Sequence, residues 1–358
     1  MRNVISDLEG AYALAVIWSG SSDSLVVARK QAPLIIGLGE GEFVCASDTP
    51  AITNITNTIL PLEDDEMALL TPLGIEIYNS ENERQYRNPI SLRLSEQIVD
   101  KKHFKHYMLK EIYDQPQIAK NWIKQFLGND ESSSTSINYS FDIEFLKNID
   151  QIQILACGTS RHAALIGSYL LEQYAGIPTN VFYASEFRYS PPPLSPNILT
   201  IGVTQSGETA DTLAALNMEI KRRESSAKES YRPNLIAITN RLDSSITRLI
   251  PNIIDISAGI EVGVAATKTF FGQLLSFYGL AITFAQIKKS KTLEEIDNMI
   301  SNLIKIPSIL EELIISHNKI SQELAHNFSN INDVIFLGRG INYPIALEGA
   351  LKLKEISY

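Results

Sequence analysis

The sequence predicts an α/β protein: a doubly wound parallel sheet preceded by an antiparallel β region. Three observations carry that expectation. From residue 151 onward, short β-branched apolar runs alternate with helix-length stretches, as in parallel strands joined by crossover helices. Two of those runs, ending at Ala156 and Val203, feed hydroxyl- and glycine-bearing turns that open helices. Before residue 79 the apolar runs are shorter and are divided by turn residues at hairpin spacing, the mark of antiparallel strands.

In chain order, the first region predicts strands at Ala11–Trp18, Ser24–Ala28, Pro33–Gly37, Glu42–Ala46, Glu66–Leu70 and Gly74–Tyr78. Turn chemistry separates them at Ser19-Gly20-Ser21-Ser22-Asp23, Gly39-Glu40-Gly41 and Thr71-Pro72-Leu73-Gly74, where Gly, Pro, Asp and Ser relieve or pre-set backbone angles. Asp64-Asp65-Glu66 reads as a solvated acidic turn. Residues 80–110 are polar and read as a linker, with His103 and His106 solvated in it. Residues 107–128 predict a helix, and Glu131–Ser136 a solvated loop. Strands are then expected at Gln151–Ala156, Thr179–Tyr183, Ile198–Val203, Asn234–Thr239 and Asn252–Ile256. Helices are expected at Ser160–Tyr174, Glu208–Arg222 and Val262–Gln286, with Pro191-Pro192-Pro193 in a loop. Residues 292–327 read as a further helix. Asp333–Leu337, Gly338-Arg339-Gly340 and a helix from Tyr343 then repeat the strand–glycine–helix unit. Trp18 and Trp122 read as core or interdomain residues, and Cys157 as a small buried apolar residue.

Composition narrows the function classes. With 358 residues, 44% apolar and 20% charged, the chain suits two or three globular domains. A net charge of −10 leaves no basic footprint for nucleic acid. Two cysteines, Cys45 and Cys157, argue against a disulfide scaffold and for a reducing, cytoplasmic setting. Met1 to Asp7 is no signal peptide. The longest apolar stretch, Phe270 to Phe284, is interrupted by Gly and Gln and reads as too short to span a bilayer.

The two turns, Cys157-Gly158-Thr159-Ser160 and Thr204-Gln205-Ser206-Gly207-Glu208-Thr209, have the chemistry of an anion cradle. Free N–H groups at a helix start point outward and the helix dipole favours negative charge. Ser and Thr add hydroxyl donors of small size. One such turn alone is most often just a capped helix; two at the carboxyl ends of neighbouring parallel strands point to a phosphorylated small molecule.

These turns, together with Ala184-Ser185-Glu186-Phe187-Arg188-Tyr189, Glu261-Val262-Gly263-Val264-Ala265 and the run from Tyr343 through Leu347-Glu348 to Lys352 and Glu355, resemble the sugar isomerase (SIS) fold. Specifically, they resemble the glutamine–fructose-6-phosphate aminotransferase family. Gly10-Ala11-Tyr12-Ala13-Leu14 and Pro33–Gly39 resemble the back half of its glutaminase domain, and His106-Tyr107-Met108 with Lys110-Glu111-Ile112 its interdomain segment. The resemblance implies a flavodoxin-like doubly wound sheet preceded by the antiparallel back half of an N-terminal-nucleophile glutaminase. It implies 1–90 as the glutaminase part, 91–115 as the linker, 116–290 as the first SIS domain and 291–358 as the start of a second. The implied activity is glutamine-dependent amination and isomerisation of fructose 6-phosphate to glucosamine 6-phosphate. It would use ammonia derived from glutamine, with no cofactor, no metal, no membrane and no nucleic acid, in a homodimer.

Carried over by residue, the resemblance makes Glu355 the base that moves a proton between C1 and C2 and puts Lys352 beside it. It gives Gly158, Thr159, Ser160, Thr204, Gln205, Ser206, Thr209, Val264 and Glu348 to substrate binding. Lys352 and Glu355 are i, i+3 on a helix, which permits a shared face; Glu348, Lys352 and Glu355 at these spacings also fit a plain surface ion-pair ladder. Departures are Thr204 where the family usually has Ser, and Ala266 where many members have Ser. The N-terminal cysteine nucleophile of the family has no counterpart at Met1, and the ring-opening histidine and closing C-terminal segment have no counterpart before Tyr358. The expectation is therefore an internal portion of such an enzyme, without glutamine hydrolysis or complete synthase activity and with exposed apolar helix surface. The alternatives are a non-catalytic sugar-phosphate-binding SIS module, or a truncated product with no function of its own.

Overall fold

A computed structural model describes residues 2–47, 49–91, 101–128 and 136–357. Its contacts separate into two units, Met1–Ile98 and Val99–Tyr358. Most of the expected Glu131–Ser136 loop and part of the expected linker lie outside the described residues.

The first unit comprises α1 (Arg2–Ile5), β1 (Tyr12–Trp18), β2 (Ser21–Lys30), β3 (Ile35–Leu38), β4 (Phe43–Ala46), β5 (Thr58–Pro61), β6 (Glu66–Thr71), β7 (Gly74–Tyr78), β8 (Arg84–Gln85) and β9 (Ile90–Ser91). They form two antiparallel sheets, in the orders β1-β2-β6-β7-β8 and β4-β3-β5-β9. Val27, Ala68, Leu70 and Ile77 of one sheet share a core with Ile36 and Leu60 of the other, the alternate residues of strands that bury one face. Three expectations are corrected. Ser21–Asp23 continue β2, so the hairpin turn is only Ser19-Gly20. Trp18 is not a core residue: it is 70% exposed. Glu66 is no solvated turn residue, since its buried carboxylate takes both guanidinium nitrogens of Arg87 at 2.8 Å. β5 went unpredicted because it is four residues long and ends in Pro61, which argues against a strand in a sequence reading.

The second unit opens with α2 (Tyr107–Leu127) and continues through β10 (Gln151–Ala156), α3 (Gly158–Leu170, prolonged by a π-turn over Leu171–Ala175), β11 (Thr179–Tyr183), α4 (Ala184–Phe187), β12 (Ile198–Thr204), α5 (Ala210–Glu224), β13 (Asn234–Thr239), α6 (Ser245–Leu249), β14 (Ile253–Asp255), α7 (Lys268–Lys288), α8 (Leu293–Phe328) and α9 (Asn342–Ser357). Its five strands pair in parallel in the order β11-β10-β12-β13-β14. That is the flavodoxin-like arrangement, in which the chain leaves the first strand to one side and returns to the other. β12 is buried along its whole length, so both sheet faces are covered.

α7 corrects the reading of the apolar stretch. It runs 21 residues, and an 18-residue stretch within it has a mean hydropathy of 1.4, long and apolar enough to cross a membrane. Here it is a core helix: Phe277, Leu280, Ala281 and Phe284 are fully buried, and it packs against α3 and α2. Trp122 of α2 joins the same core. A capping box of Thr292 and Glu295 starts α8. Toward its end α8 exposes Leu313, Ile320, Leu324 and Phe328. Asp333–Leu337 is not a strand. It has no ladder partner among the described residues, and an extended segment becomes a strand only by pairing.

Candidate functional site

β10 and β12 are adjacent, with Leu155 opposite Gly202, so the two hydroxyl-rich turns leave the same carboxyl edge. β10 lies between β11 and β12, its successors in the chain, and the direction of winding reverses there. In open α/β sheets the ligand crevice forms at such a switch point.

In the turn after β12, Gly207 takes φ +70°, and the carbonyls of Gln205 and Gly207 accept the N–H groups of Asn240 (3.2 Å) and Ile246 (3.1 Å). α5 begins at Ala210, after an extended Thr209, rather than at the expected Glu208. Thr204 and Thr209 share a hydroxyl hydrogen bond of 2.6 Å. The Ser206 hydroxyl accepts the Glu208 N–H at 3.1 Å, which leaves its own proton to donate elsewhere. A Cβ at residue 207 would lie 1.9 Å from Ser244 Oγ. Gly207→Ala is therefore expected to destabilise the chain by about 1–3 kcal/mol through clash and left-handed strain, measured by chemical denaturation; unchanged stability would contradict this account of the turn.

In the turn after β10, Gly158 opens α3 at φ +53°. The Ser160 hydroxyl is buried and accepts from Gln273 Nε2 of α7 at 2.9 Å. Thr159 Oγ1 donates to Glu348 Oε1 of α9 at 2.9 Å and accepts from Lys352 Nζ at 3.1 Å. The same ammonium lies 2.6 Å from Glu355 Oε2 and 3.4 Å from Glu348 Oε1. His162 Nδ1 meets the other Glu348 oxygen at 2.7 Å. Glu348 is only 5% exposed, so it faces inward and joins α9 to α3, while Lys352 is half-buried and Glu355 stands at the exposed end of the Glu348–Lys352–Glu355 ladder. Both Glu348 oxygens are engaged by protein groups. The carboxylate thus orients Thr159 and Lys352.

The structure therefore gathers Thr159, Glu348, Lys352 and Glu355 into one network, and Thr204, Ser206 and Thr209 into the turn beside it. Gly158 and Ser160 frame the first turn, and Gln205 contributes its carbonyl to the second. Val264 stands apart, its side chain 92% exposed. It lies in the segment between β14 and α7, where Glu261 takes the N–H groups of Thr267 (2.8 Å) and Lys268 (3.0 Å) and the hydroxyl of Thr269. Burial raises the Glu261 carboxyl above the usual range against those bonds. Burial also lowers the Lys268 ammonium, opposed by Asp114 and Glu111. His162 and Gln273 are the participants that the sequence reading missed. His162 follows Thr159 by one helical turn, a spacing that could have drawn attention to it; Gln273 carries no local signal.

Residues 145–283 match the SIS domain family, so the parallel sheet and its carboxyl-edge turns are those of a sugar isomerase module. Over its whole length the chain is 52% identical to the glutamine–fructose-6-phosphate aminotransferase [isomerizing] of Thermosynechococcus vestitus, covering 58% of that protein. It is 40% identical to the Methanosarcina mazei protein of the same name, again along all of this chain and over 56% of the relative. The solved C-terminal domain of glucosamine-fructose-6-phosphate aminotransferase from Francisella tularensis superposes with a TM-score of 0.64 at 37% identity, over 72% of this chain and 69% of that one. The chain belongs to the glutamine–fructose-6-phosphate aminotransferase family. It spans less than three fifths of the length of the two curated relatives, 58% and 56%.

Proposed function

We propose that the crevice at the carboxyl ends of β10 and β12 binds fructose 6-phosphate and serves the isomerising half of glutamine-dependent glucosamine 6-phosphate formation. Ser206, Thr209, Thr204 and Gln205 hold the phosphate. Thr159 and Ser160, on Gly158, line the sugar, with a backbone group from Val264. Glu355 moves a proton between C1 and C2. Lys352, already bonded to it, offsets the negative charge that develops on the sugar oxygens. Glu348 keeps Thr159 and Lys352 in register. The observation that carries this reading is the Lys352 ammonium, within 3.1 Å of Thr159 and 2.6 Å of Glu355, because it brings α9 onto the very turn that the sugar would meet.

Ammonia from glutamine is the proposed amino donor, a homodimer the assembly, and the cytoplasm the setting, in keeping with the free thiols of Cys45 and Cys157. No metal, cofactor, nucleic acid or membrane enters the proposal. Its test is isotope exchange. With fructose 6-phosphate in D₂O, the chain is expected to wash out the C1 proton signal in NMR spectra, and Glu355→Gln to slow that exchange at least about a hundredfold. Calorimetry should show uptake of fructose 6-phosphate by both proteins. No heat with the parent chain would reject the ligand; exchange surviving in Glu355→Gln would reject the base.

A further inference from the structure

Glu111, on α2, is a fully buried carboxylate that the proposed chemistry leaves unused. Its Oε1 accepts the Val262 N–H at 2.6 Å, and its two oxygens share the Gly263 N–H at 3.2 Å each. A Cβ at residue 263 would lie 2.5 Å from Glu111 Oε2, so glycine alone allows the contact. The same segment is held at its other end. Lys268 Nζ donates to the Ile260 carbonyl at 2.7 Å. The Asn240 side chain accepts the Ala258 N–H at 2.9 Å and donates to the Gly259 carbonyl at 2.6 Å. Asn240 in turn gives its own N–H to the Gln205 carbonyl.

Residues 257–262 form no helix or strand, so no ladder satisfies these backbone groups, and side chains take their place. A run of hydrogen bonds thus leads from the phosphate turn, through Asn240, along residues 258–263 to Glu111. At one end of that run lies the phosphate turn. At the other lies the segment bearing Val264.

We propose that Glu111 is a positioning residue for the sugar end of the site: by taking two successive backbone N–H groups it sets the path of residues 260–264. This rests on the site reading given above. It makes α2, the helix that follows the interdomain segment, one side of the sugar pocket's frame. Glu111→Gln keeps the side-chain shape but sets an amide NH₂ against the Gly263 N–H, a donor facing a donor, and leaves a single, uncharged oxygen for both N–H groups.

The experiment is calorimetric titration of the 358-residue chain with fructose 6-phosphate, and with inorganic phosphate as a competitor. Glu111→Gln is expected to weaken fructose 6-phosphate about tenfold while inorganic phosphate changes less than about twofold. Gly263→Ala disturbs the same contact from the loop side and should give the same selective loss. The double variant should be no worse than either single one, since both remove one interaction. Should Glu111→Gln fail to fold, Gly263→Ala carries the test by itself. Equal losses for both ligands, additive losses, or unchanged fructose 6-phosphate affinity would overturn the inference while leaving the site reading in place. A parent chain that binds neither ligand would overturn both.

Discussion

Glu219→Ala is expected to remove about 3–5 kcal/mol of stability, the usual result of stripping one partner from a buried ion pair. Glu219 and Arg223 are each 1% exposed. One Glu219 oxygen accepts from Arg223 Nε and from Gln153 Nε2, both at 2.7 Å, and the other from Arg222 at 2.8 Å. Gln153 also donates to Thr200 Oγ1 at 2.8 Å, so the network ties α5 to the neighbouring strands β10 and β12. The two arginines reach the carbonyls of Pro192 (2.7 Å) and Ser195 (3.3 Å), fixing the proline-rich loop. Alanine leaves the Arg223 charge buried without its counter-ion, and that desolvated charge is the main cost. Urea denaturation followed by circular dichroism reads the change as a lower midpoint. The pairing of Glu219→Leu with Arg223→Met should recover much of the loss, because apolar replacements need no desolvated partner. A single variant within about 1 kcal/mol of the parent would refute the importance of the pair.

The second large effect concerns binding. Ser206→Ala combined with Thr209→Ala is expected to lower fructose 6-phosphate affinity at least about a hundredfold. Each lost hydrogen bond to a charged phosphate is worth about 1.5–3 kcal/mol. Ser206 has a spare hydroxyl proton, because its oxygen already accepts from Glu208. Of the two hydroxyls in the Thr204–Thr209 pair, one proton is likewise free for a ligand. The turn itself should survive, held by the Asn240 and Ile246 N–H groups and by Ser245 N–H on Glu208 at 2.7 Å. Calorimetry should therefore lose its signal while the thermal melt moves by only a few degrees. Affinity retained in the double variant would mean that the anion is held elsewhere.

Much of the site was legible in the sequence because its parts are local. A β-branched run followed by Gly, Ser and Thr makes the strand–turn–helix of residues 151–160 wherever it is placed, and the same holds for 198–210. Lys352 and Glu355 were legible as neighbours on a helical face. What that face meets was not: the same spacing describes a fully solvated ladder and the one found here, buried at Glu348 and exposed at Glu355. Glu348 shows the difference, since its burial follows from α9 lying on α3, with Thr159 and His162 across the gap. Failures have the same origin. Asp333–Leu337 has strand chemistry but no neighbour to pair with among the described residues. β5, β8 and β9 have weak strand chemistry and are strands because β3, β5 and β7 offer open edges to them.

The residues alone decided most of the alternating strands and helices from residue 151 on, the two hydroxyl-rich turns and the family to which the chain belongs, since propensity, turn geometry and side-chain period act within a few residues of chain. Tertiary structure alone decided the order β11-β10-β12-β13-β14, the docking of α9 beside the first turn, and the seat of Val262 and Gly263 on Glu111. The last two join positions about 150 to 190 residues apart, and each exists only because packing of whole helices and strands repays the entropy of closing so long a loop.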